Sequence, residues 1–131
     1  MATTLAQKLQ LKPGQTLVAL HAPAGYAEAL AGQLDGITVT DAAAGPADAV
    51  LTFVTALAEG MPRLEEAAGA VRRDGLLWMA YPKGSSGIKT DVNRDRLWAA
   101  TKGSGWQPVR QVALDDVWSG MRYRPEELVG R

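Results

Sequence analysis

The stretch that decides the fold is WQPVRQVALDDVWSGMRY, residues 106–123. Its two apolar runs, 106–113 and 117–123, flank the tripeptide LDD, and a short polar turn between two such runs predicts a β-hairpin. Aspartate favours turns because its carboxylate accepts hydrogen bonds from backbone N–H groups just beyond it. We therefore expect the sheet to end in two antiparallel strands.

Four apolar runs precede this hairpin and predict strands that are buried on both faces. They are TLVALH at 16–21, ITVT at 37–40, DAVLTFV at 48–54 and LLWMAY at 76–81. Between them, apolar residues recur at helical spacing in three segments. These segments are residues 26–34, 57–73 and 90–102.

The order of these elements predicts the architecture. Strands that alternate with helices form a parallel sheet with a helical layer on each face. We expect an α/β fold, a three-layer α/β/α sheet with strand order 2-1-3-4-6-5, mostly parallel, closed by the C-terminal antiparallel hairpin. Arg72 and Arg73 fall in the last turn of the second helix, where cations suit the negative end of the helix dipole. Thr90 or Asp91 is expected to cap the third helix.

The composition argues against several classes of protein. The chain has 131 residues, 47% of them hydrophobic, which suits a single domain spanning 1–131. A formal net charge of zero argues against binding to nucleic acid or to an anionic membrane surface. With no cysteine and a single histidine, His21, we expect no metal site. Because the chain shows neither a signal-peptide pattern nor an apolar stretch of membrane-spanning length, we expect a cytoplasmic protein.

Parts of this pattern resemble the class I methyltransferases, a family with a Rossmann-like sheet. Residues 48–54 match the family's fourth strand, and VRRDGLLW at 71–78 matches its helix–turn–strand unit with a glycine at the turn. The terminal hairpin around Asp115 and Asp116 completes the likeness. The resemblance implies a methyltransferase-like fold from which one helix–strand unit after Thr40 is missing.

The chain departs from that family at the turn for the cofactor S-adenosylmethionine. The family has a glycine-rich turn after its first strand, whereas this chain has HAPAGY at 21–26, with one glycine and a proline that donates no backbone hydrogen bond. Asp41 follows the second strand, where the family has an acidic residue for the ribose hydroxyls. We therefore expect no cofactor, and we expect S-adenosylmethionine to bind weakly or not at all.

A second resemblance is more specific. The segment YPKGSSGIKTDVNRD at 81–95, with GW at 105–106 and DDVWS at 115–119, is similar to small bacterial proteins of a domain-of-unknown-function family. It implies a bacterial origin and supports the same fold, and it implies no activity.

The chemically richest segment is the loop KGSSGIKTDVNR, residues 83–94. It leaves the carboxyl end of a central strand, where open α/β sheets place ligands, and it leads into a helix N-terminus, whose N–H groups attract anions. The candidate ligand-binding residues for a small anion are Lys83, Ser85, Ser86, Lys89, Thr90, Asn93 and Arg94, with His21 and Asp41 at the same edge. The alternative is a solvated loop in which Thr90 or Asp91 only caps the helix.

Other conspicuous side chains have structural interpretations. The sequence offers no partner for His21, so we expect a partly buried structural histidine. Asp115 and Asp116 are interpreted as turn formers and not as paired carboxylates. All four tryptophans are expected in the core, with an interface on the hairpin face at Trp106 and Trp118 as the alternative.

Three functional hypotheses remain open, and none assigns a catalytic residue. The leading one is a non-enzymatic binding or regulatory module with a degenerate methyltransferase-like fold, which binds a small anionic ligand or a protein partner. The second is an S-adenosylmethionine- or nucleotide-binding enzyme with its site at the carboxyl edge of the sheet. The third is a homo-oligomer that uses the C-terminal hairpin, where Arg110, Arg122 and Arg124 form either a basic strip or an ordinary solvated face.

Overall fold

The sheet has the predicted topology. The computed structural model describes residues 4–42 and 45–129, and in this part of the chain six strands form one sheet of order β2-β1-β3-β4-β6-β5. The strands are β1 Thr16–Leu20, β2 Thr38–Thr40, β3 Ala47–Phe53, β4 Val71–Pro82, β5 Trp106–Ala113 and β6 Trp118–Pro125. The first four strands are parallel, and β6 runs antiparallel to both β4 and β5. The predicted strand order and antiparallel hairpin are confirmed.

Helices cover both faces of this sheet. They are α1 Leu5–Leu9, α2 Tyr26–Gln33, α3 Gly60–Ala70 and α4 Arg94–Ala100, with single 3-10 turns at Leu57–Glu59 and Glu126–Leu128. Leu9 and Leu30 bring α1 and α2 into the core on one face, and Leu64 and Leu97 bring α3 and α4 into the core on the other. The three-layer arrangement is confirmed. Within the described residues, no helix has the length and hydropathy of a membrane span.

Alternating side chains of the central strand β4 divide the core in two. Leu77 and Met79 face α3 and α4, whereas Trp78 and Ala80 face α1 and α2. The indole Nε1 of the fully buried Trp78 donates a hydrogen bond of 3.2 Å to the carbonyl oxygen of Leu9. This bond ties α1, which the sequence pattern did not predict, to the sheet.

The second predicted helix, 57–73, ends earlier in the structure than predicted. It stops at Ala70, and β4 begins at Val71, so Arg72 and Arg73 lie in a strand and not in a last helical turn. The carboxylate of Asp48 on β3 accepts a hydrogen bond from Arg72 Nε at 3.1 Å. This contact holds the segment beside β3, where strand pairing replaces the helical bonds.

The third predicted helix begins later in the structure than predicted. It begins at Arg94, and its cap is Asn93, whose side chain accepts the N–H of Arg96 at 2.8 Å. Thr90 does not cap the helix, because its hydroxyl donates to the carbonyl oxygen of Thr55. Asp91 does not cap it either, since its carboxylate accepts the N–H of Leu57 at 2.8 Å.

The tryptophans only partly follow the expectation that all four are core residues. Trp78 and Trp118 are buried and Trp106 is half-buried, but Trp98 is 43% exposed. The short helix α4 buries only Leu97, and the next side chain along a helix points about 100° away from it.

Candidate functional site

The carboxyl end of β1 opens into a cavity of about 220 Å³. The turn between β1 and α2 forms much of its wall, and the polar side chains that line it are His21, Glu28 and Asp41. Two of the candidate residues from the sequence, His21 and Asp41, therefore meet at one site. Glu28, in the first turn of α2, is a site residue that the sequence pattern did not indicate.

The turn after β1 follows a path that usually needs glycine. His21 has a left-handed backbone with a φ of 58°, and Gly25, just before α2, has a φ of 78°. For a residue with a Cβ this conformation costs roughly 1–2 kcal/mol, so the surrounding structure must hold it in place. A left-handed turn is thus built here with one glycine instead of several.

His21 was expected to be a partly buried structural histidine, and the structure adds a partner that the sequence did not indicate. Its ring is 41% exposed, and its Nε2 lies 2.6 Å from Oε1 of Glu66 on α3. The strand ends at Leu20, and the left-handed residue that follows turns the chain away from the sheet. This partner was not evident from the spacing of residues, because Glu66 lies 45 positions away.

Two carboxylates make the cavity electronegative. Glu28 and Asp41 are exposed, and neither has a hydrogen-bond partner among residues 4–42 and 45–129. Carboxylates in this state accept hydrogen bonds from hydroxyl groups and attract cations. The chemistry of the cavity suits a ligand with hydroxyls and a positive charge.

A second cavity, of about 370 Å³, lies at the carboxyl end of β4. Three of the loop residues proposed from the sequence line it, namely Lys83, Asn93 and Arg94. Gln111 of β5 and Ser119 of β6 also line it. The sequence pattern missed both, because only the folded hairpin brings them to this edge.

Tyr81, which lines this cavity, connects β4 to the hairpin through a hydrogen bond. Its hydroxyl accepts a hydrogen bond from Gln111 Nε2 at 2.5 Å. Burial raises the pKa of Tyr81, so the phenol keeps its proton at physiological pH and can donate a hydrogen bond to a ligand. Arg94 is exposed beside Asp95, with 3.2 Å between its Nε and the carboxylate.

The remaining loop candidates lie outside this cavity lining. The Ser86 hydroxyl accepts the N–H of Ile88 at 3.1 Å, and the Thr90 hydroxyl is engaged with Thr55. Ser85 and Lys89 do not line it either. The structure therefore brings together only part of the predicted set. The alternative, in which Thr90 or Asp91 caps the helix, is not observed either, because Asn93 is the cap.

The hairpin aspartates do not form a paired site. Asp115 Oδ1 accepts the N–H groups of Val117 and Trp118, both at 2.8 Å, which confirms its role as a turn former. Its Oδ2 accepts the Tyr26 hydroxyl at 2.7 Å. Burial and this bond raise the pKa of Tyr26. In the described part of the chain, no cluster of three or more metal-ligating side chains is present.

Several solved methyltransferase structures have a similar fold. The S-adenosylmethionine-dependent methyltransferase from Aquifex aeolicus matches with a TM-score of 0.60 and 14% identity, over 91% of this chain and 86% of that one. The ribosomal protein L11 methylase from Lactobacillus delbrueckii subsp. bulgaricus matches with a TM-score of 0.55 and 11% identity, over 92% and 76%. LepI in complex with S-adenosylmethionine matches with a TM-score of 0.52 and 12% identity, over 93% and 39%. No protein-family model and no curated protein sequence matches this chain.

These structures confirm the methyltransferase-like fold, which is what likeness at such low identity shows. They also correct one expectation. The prediction that S-adenosylmethionine binds weakly or not at all is wrong, because one structure of this fold is named as dependent on that cofactor and another contains it. The prediction rested on the number of glycines in the turn after β1. In the structure, His21 adopts the left-handed conformation that a glycine would otherwise adopt. The bacterial family of unknown function stays a prediction.

Proposed function

We propose that this chain is an S-adenosylmethionine-binding protein whose cofactor site is the cavity at the carboxyl end of β1. The observation that carries the proposal is that Asp41 and the left-handed turn at His21 line the same cavity. Proteins that share the fold favour this function over the non-enzymatic module. Asp41 would accept the ribose hydroxyls, since it follows β2 and has no other partner among the described residues.

The residues present fit part of this cofactor. The volume of about 220 Å³ is below the roughly 300–1,000 Å³ of typical ligand sites, so the cavity suits the nucleoside half. Glu28 and Asp41 complement the positive charge of a sulfonium. S-Adenosylmethionine, when bound, supplies a methyl group that a nucleophile can accept. The role of this chain's residues is to orient the ribose and to hold the cation near the sheet edge.

Titration calorimetry with S-adenosylmethionine tests the proposal. We expect the parent chain to bind, and we expect Asp41→Asn to weaken binding by about tenfold or more, because it removes a charged hydrogen-bond acceptor. Asp35→Asn is the matched control, since Asp35 is also exposed and lies outside the cavity lining. The absence of binding at millimolar cofactor, or an equal loss in the two variants, would contradict the proposed site.

A second candidate function is binding of a small anion in the cavity at the end of β4. The observation that favours it is that Lys83 and Arg94 line one cavity of about 370 Å³ with the polar side chains of Gln111 and Ser119. Only Asp95 among the lining residues opposes these cations. In this proposal the anion site lies at the two ends of the loop and not in its middle.

Inorganic phosphate is the probe for this second site. We expect Lys83→Ala to abolish saturable phosphate binding, and added salt to weaken binding in the parent chain. Lys89→Ala is the control, because it removes the same charge from the same loop outside the cavity lining. If the two variants bind phosphate equally well, the cavity is not the site.

Association through the hairpin remains the third proposal. Light scattering at two protein concentrations measures it directly, and a mass that stays monomeric at both would contradict it.

A further inference from the structure

A cluster of arginines lies apart from both candidate sites, on the side of the hairpin that faces α1. It consists of Arg110 on β5 and of Arg122 and Arg124 on β6, and we call it the arginine cluster. With Gln10 and two valines it lines a cavity of about 380 Å³. In the sheet, Arg122 lies opposite Trp78, whose side chain faces α1 and α2.

This cavity lies toward the amino ends of the parallel strands. Tyr123, between Arg122 and Arg124, pairs with Leu77 near the middle of β4, whereas Ser119 pairs with Tyr81 at its carboxyl end. The arginine cluster is therefore separate from the cavities lined by His21 and by Lys83.

The cluster has more positive than negative charge. Arg110 and Arg122 are direct neighbours across β5 and β6, and like charges in that position destabilise a sheet. The carboxylate of Asp74 accepts two hydrogen bonds from Arg124, at 3.0 Å from Nε and 3.1 Å from Nη2. Among the described residues that line the cavity, none carries a carboxylate.

Arg122 is the most constrained member of the cluster. Its Nη1 donates to Gln10 Oε1 at 2.6 Å, but its Nε is buried without a hydrogen-bond partner in the described part of the chain. A buried donor on a charged group is costly to leave unpaired. Burial lowers the pKa of Arg122 from its ordinary value, and the nearby charge of Arg124 lowers it further. An anion bound beside the Arg122 guanidinium would offset the repulsion from Arg124.

Two residues with a strained backbone contact the arginine cluster. Of the residues described, only three other than glycine have a left-handed backbone, and two of them are Gln10, with a φ of 64°, and Asp74, with a φ of 54°. Their side chains hold Arg122 and Arg124. The third, His21, lines the proposed cofactor cavity. Strained residues of this kind concentrate at functional sites, where surrounding contacts maintain them.

We propose that the arginine cluster binds a small ligand that carries phosphate groups. Planar guanidinium groups pair with phosphate oxygens through two parallel hydrogen bonds, which favours phosphate over a spherical anion. Val109 and Val129 line the same cavity and provide an apolar wall for the rest of the ligand. The limited volume and the zero net charge of the chain favour a small molecule over nucleic acid.

Titration calorimetry with inorganic pyrophosphate tests the proposal on the full chain. We expect saturable binding that weakens with added salt, and a loss of affinity of about tenfold or more in Arg110→Gln and in Arg122→Gln. Lys102→Gln, an exposed charge at the end of α4, is the matched control and should change affinity less than about twofold.

The variants separate binding from folding. Arg110 is exposed, so Arg110→Gln should retain the parent melting temperature even if Arg122→Gln, which changes a half-buried contact, does not. No saturable binding to the parent chain would overturn the proposal, as would an equal loss in Lys102→Gln. A single-stranded RNA oligonucleotide that competes for the cluster and binds more tightly than pyrophosphate would overturn the assignment to a small ligand. Because Asp41 lies at the other edge of the sheet, Asp41→Asn should leave pyrophosphate binding unchanged, so this result is independent of the cofactor proposal.

Discussion

At the scale of single residues, Leu77 tests how much one core side chain contributes to stability. It is 0% exposed and pairs with Val50 of β3 and Tyr123 of β6 at the centre of the sheet. Leu77→Ala should lower the free energy of unfolding by about 2–4 kcal/mol, because the neighbouring strands can close only part of the cavity it leaves. Urea denaturation measures this change.

The exposed Ile88 is the control for that measurement. It is 39% exposed, and Ile88→Ala should change the unfolding free energy by less than about 1 kcal/mol. Equal effects of the two substitutions would mean that the central strand is not packed as described.

The residue scale also shows which parts of the sites a sequence reveals. Asp41 and Lys83 were predictable because each follows a predicted strand, and strand ends meet at one edge of a parallel sheet. Glu66 and Gln111 were not, since their contacts with His21 and Tyr81 span 45 and 30 positions. Such long-range pairs depend on how the helix and the hairpin pack against the sheet. Composition and residue spacing do not indicate this packing.

At the scale of elements, two glycines should respond to alanine in opposite directions. A Cβ at Gly75 of β4 would lie 2.7 Å from Val71 Cγ2 and 2.8 Å from the carbonyl oxygen of Asp48, so the strand must shift. Gly75→Ala should destabilise the chain by about 1–3 kcal/mol. Gly69 in α3 has nothing within 4 Å of such a Cβ, and Gly69→Ala should stabilise the helix by about 0.5–1 kcal/mol.

Thermal denaturation of the two glycine variants shows the signs directly. The far-ultraviolet circular dichroism of both should match that of the parent chain, which controls for a change of fold. A higher melting temperature for Gly75→Ala would show that a Cβ fits at this position of β4 without the close contacts described above.

Element boundaries were the least predictable feature of the fold, for a physical reason in each case. Val71 continues the apolar spacing of the preceding helix, so periodicity extended that helix past Ala70 into a strand. The five-residue helix α1 is too short to show a period. Its only signal is the capping box, in which Thr4 accepts the N–H of Gln7 and the Gln7 side chain accepts the N–H of Thr4.

At the scale of the whole molecule, the fold was predictable and the sites were only partly so. Alternating apolar runs and helical periods, ended by a hairpin, leave few compatible topologies, since parallel crossovers are right-handed and consecutive elements usually pack together. The arginine cluster shows the contrast. Its members are evident in the sequence, yet only their position across two strands and the strained Gln10 and Asp74 distinguish a site from a solvated face.

The acid stability of the whole molecule should follow two carboxylates at the amino edge of the sheet. The N–H of Thr16, with a further contribution from Arg72, lowers the pKa of Asp48. The guanidinium of Arg124 lowers the pKa of Asp74 in the same way. Through these bonds, Asp48 joins β3 to both of its neighbours, β1 and β4.

The sign of the pH dependence follows from proton binding. In the unfolded chain both carboxylates return to a pKa of about 3.9, so as the pH falls the unfolded state takes up protons first. Their stabilising contribution is complete above that pKa and is lost as the pH falls through the lower folded values.

Urea denaturation between neutral pH and about pH 3 should therefore show a falling unfolding free energy, with a shallower fall in Asp48→Asn, whose amide does not titrate. Asp35→Asn should keep the parent slope because Asp35 has no hydrogen-bond partner in the described part of the chain. An unchanged slope in Asp48→Asn would show that this carboxylate does not hold the amino edge of the sheet together.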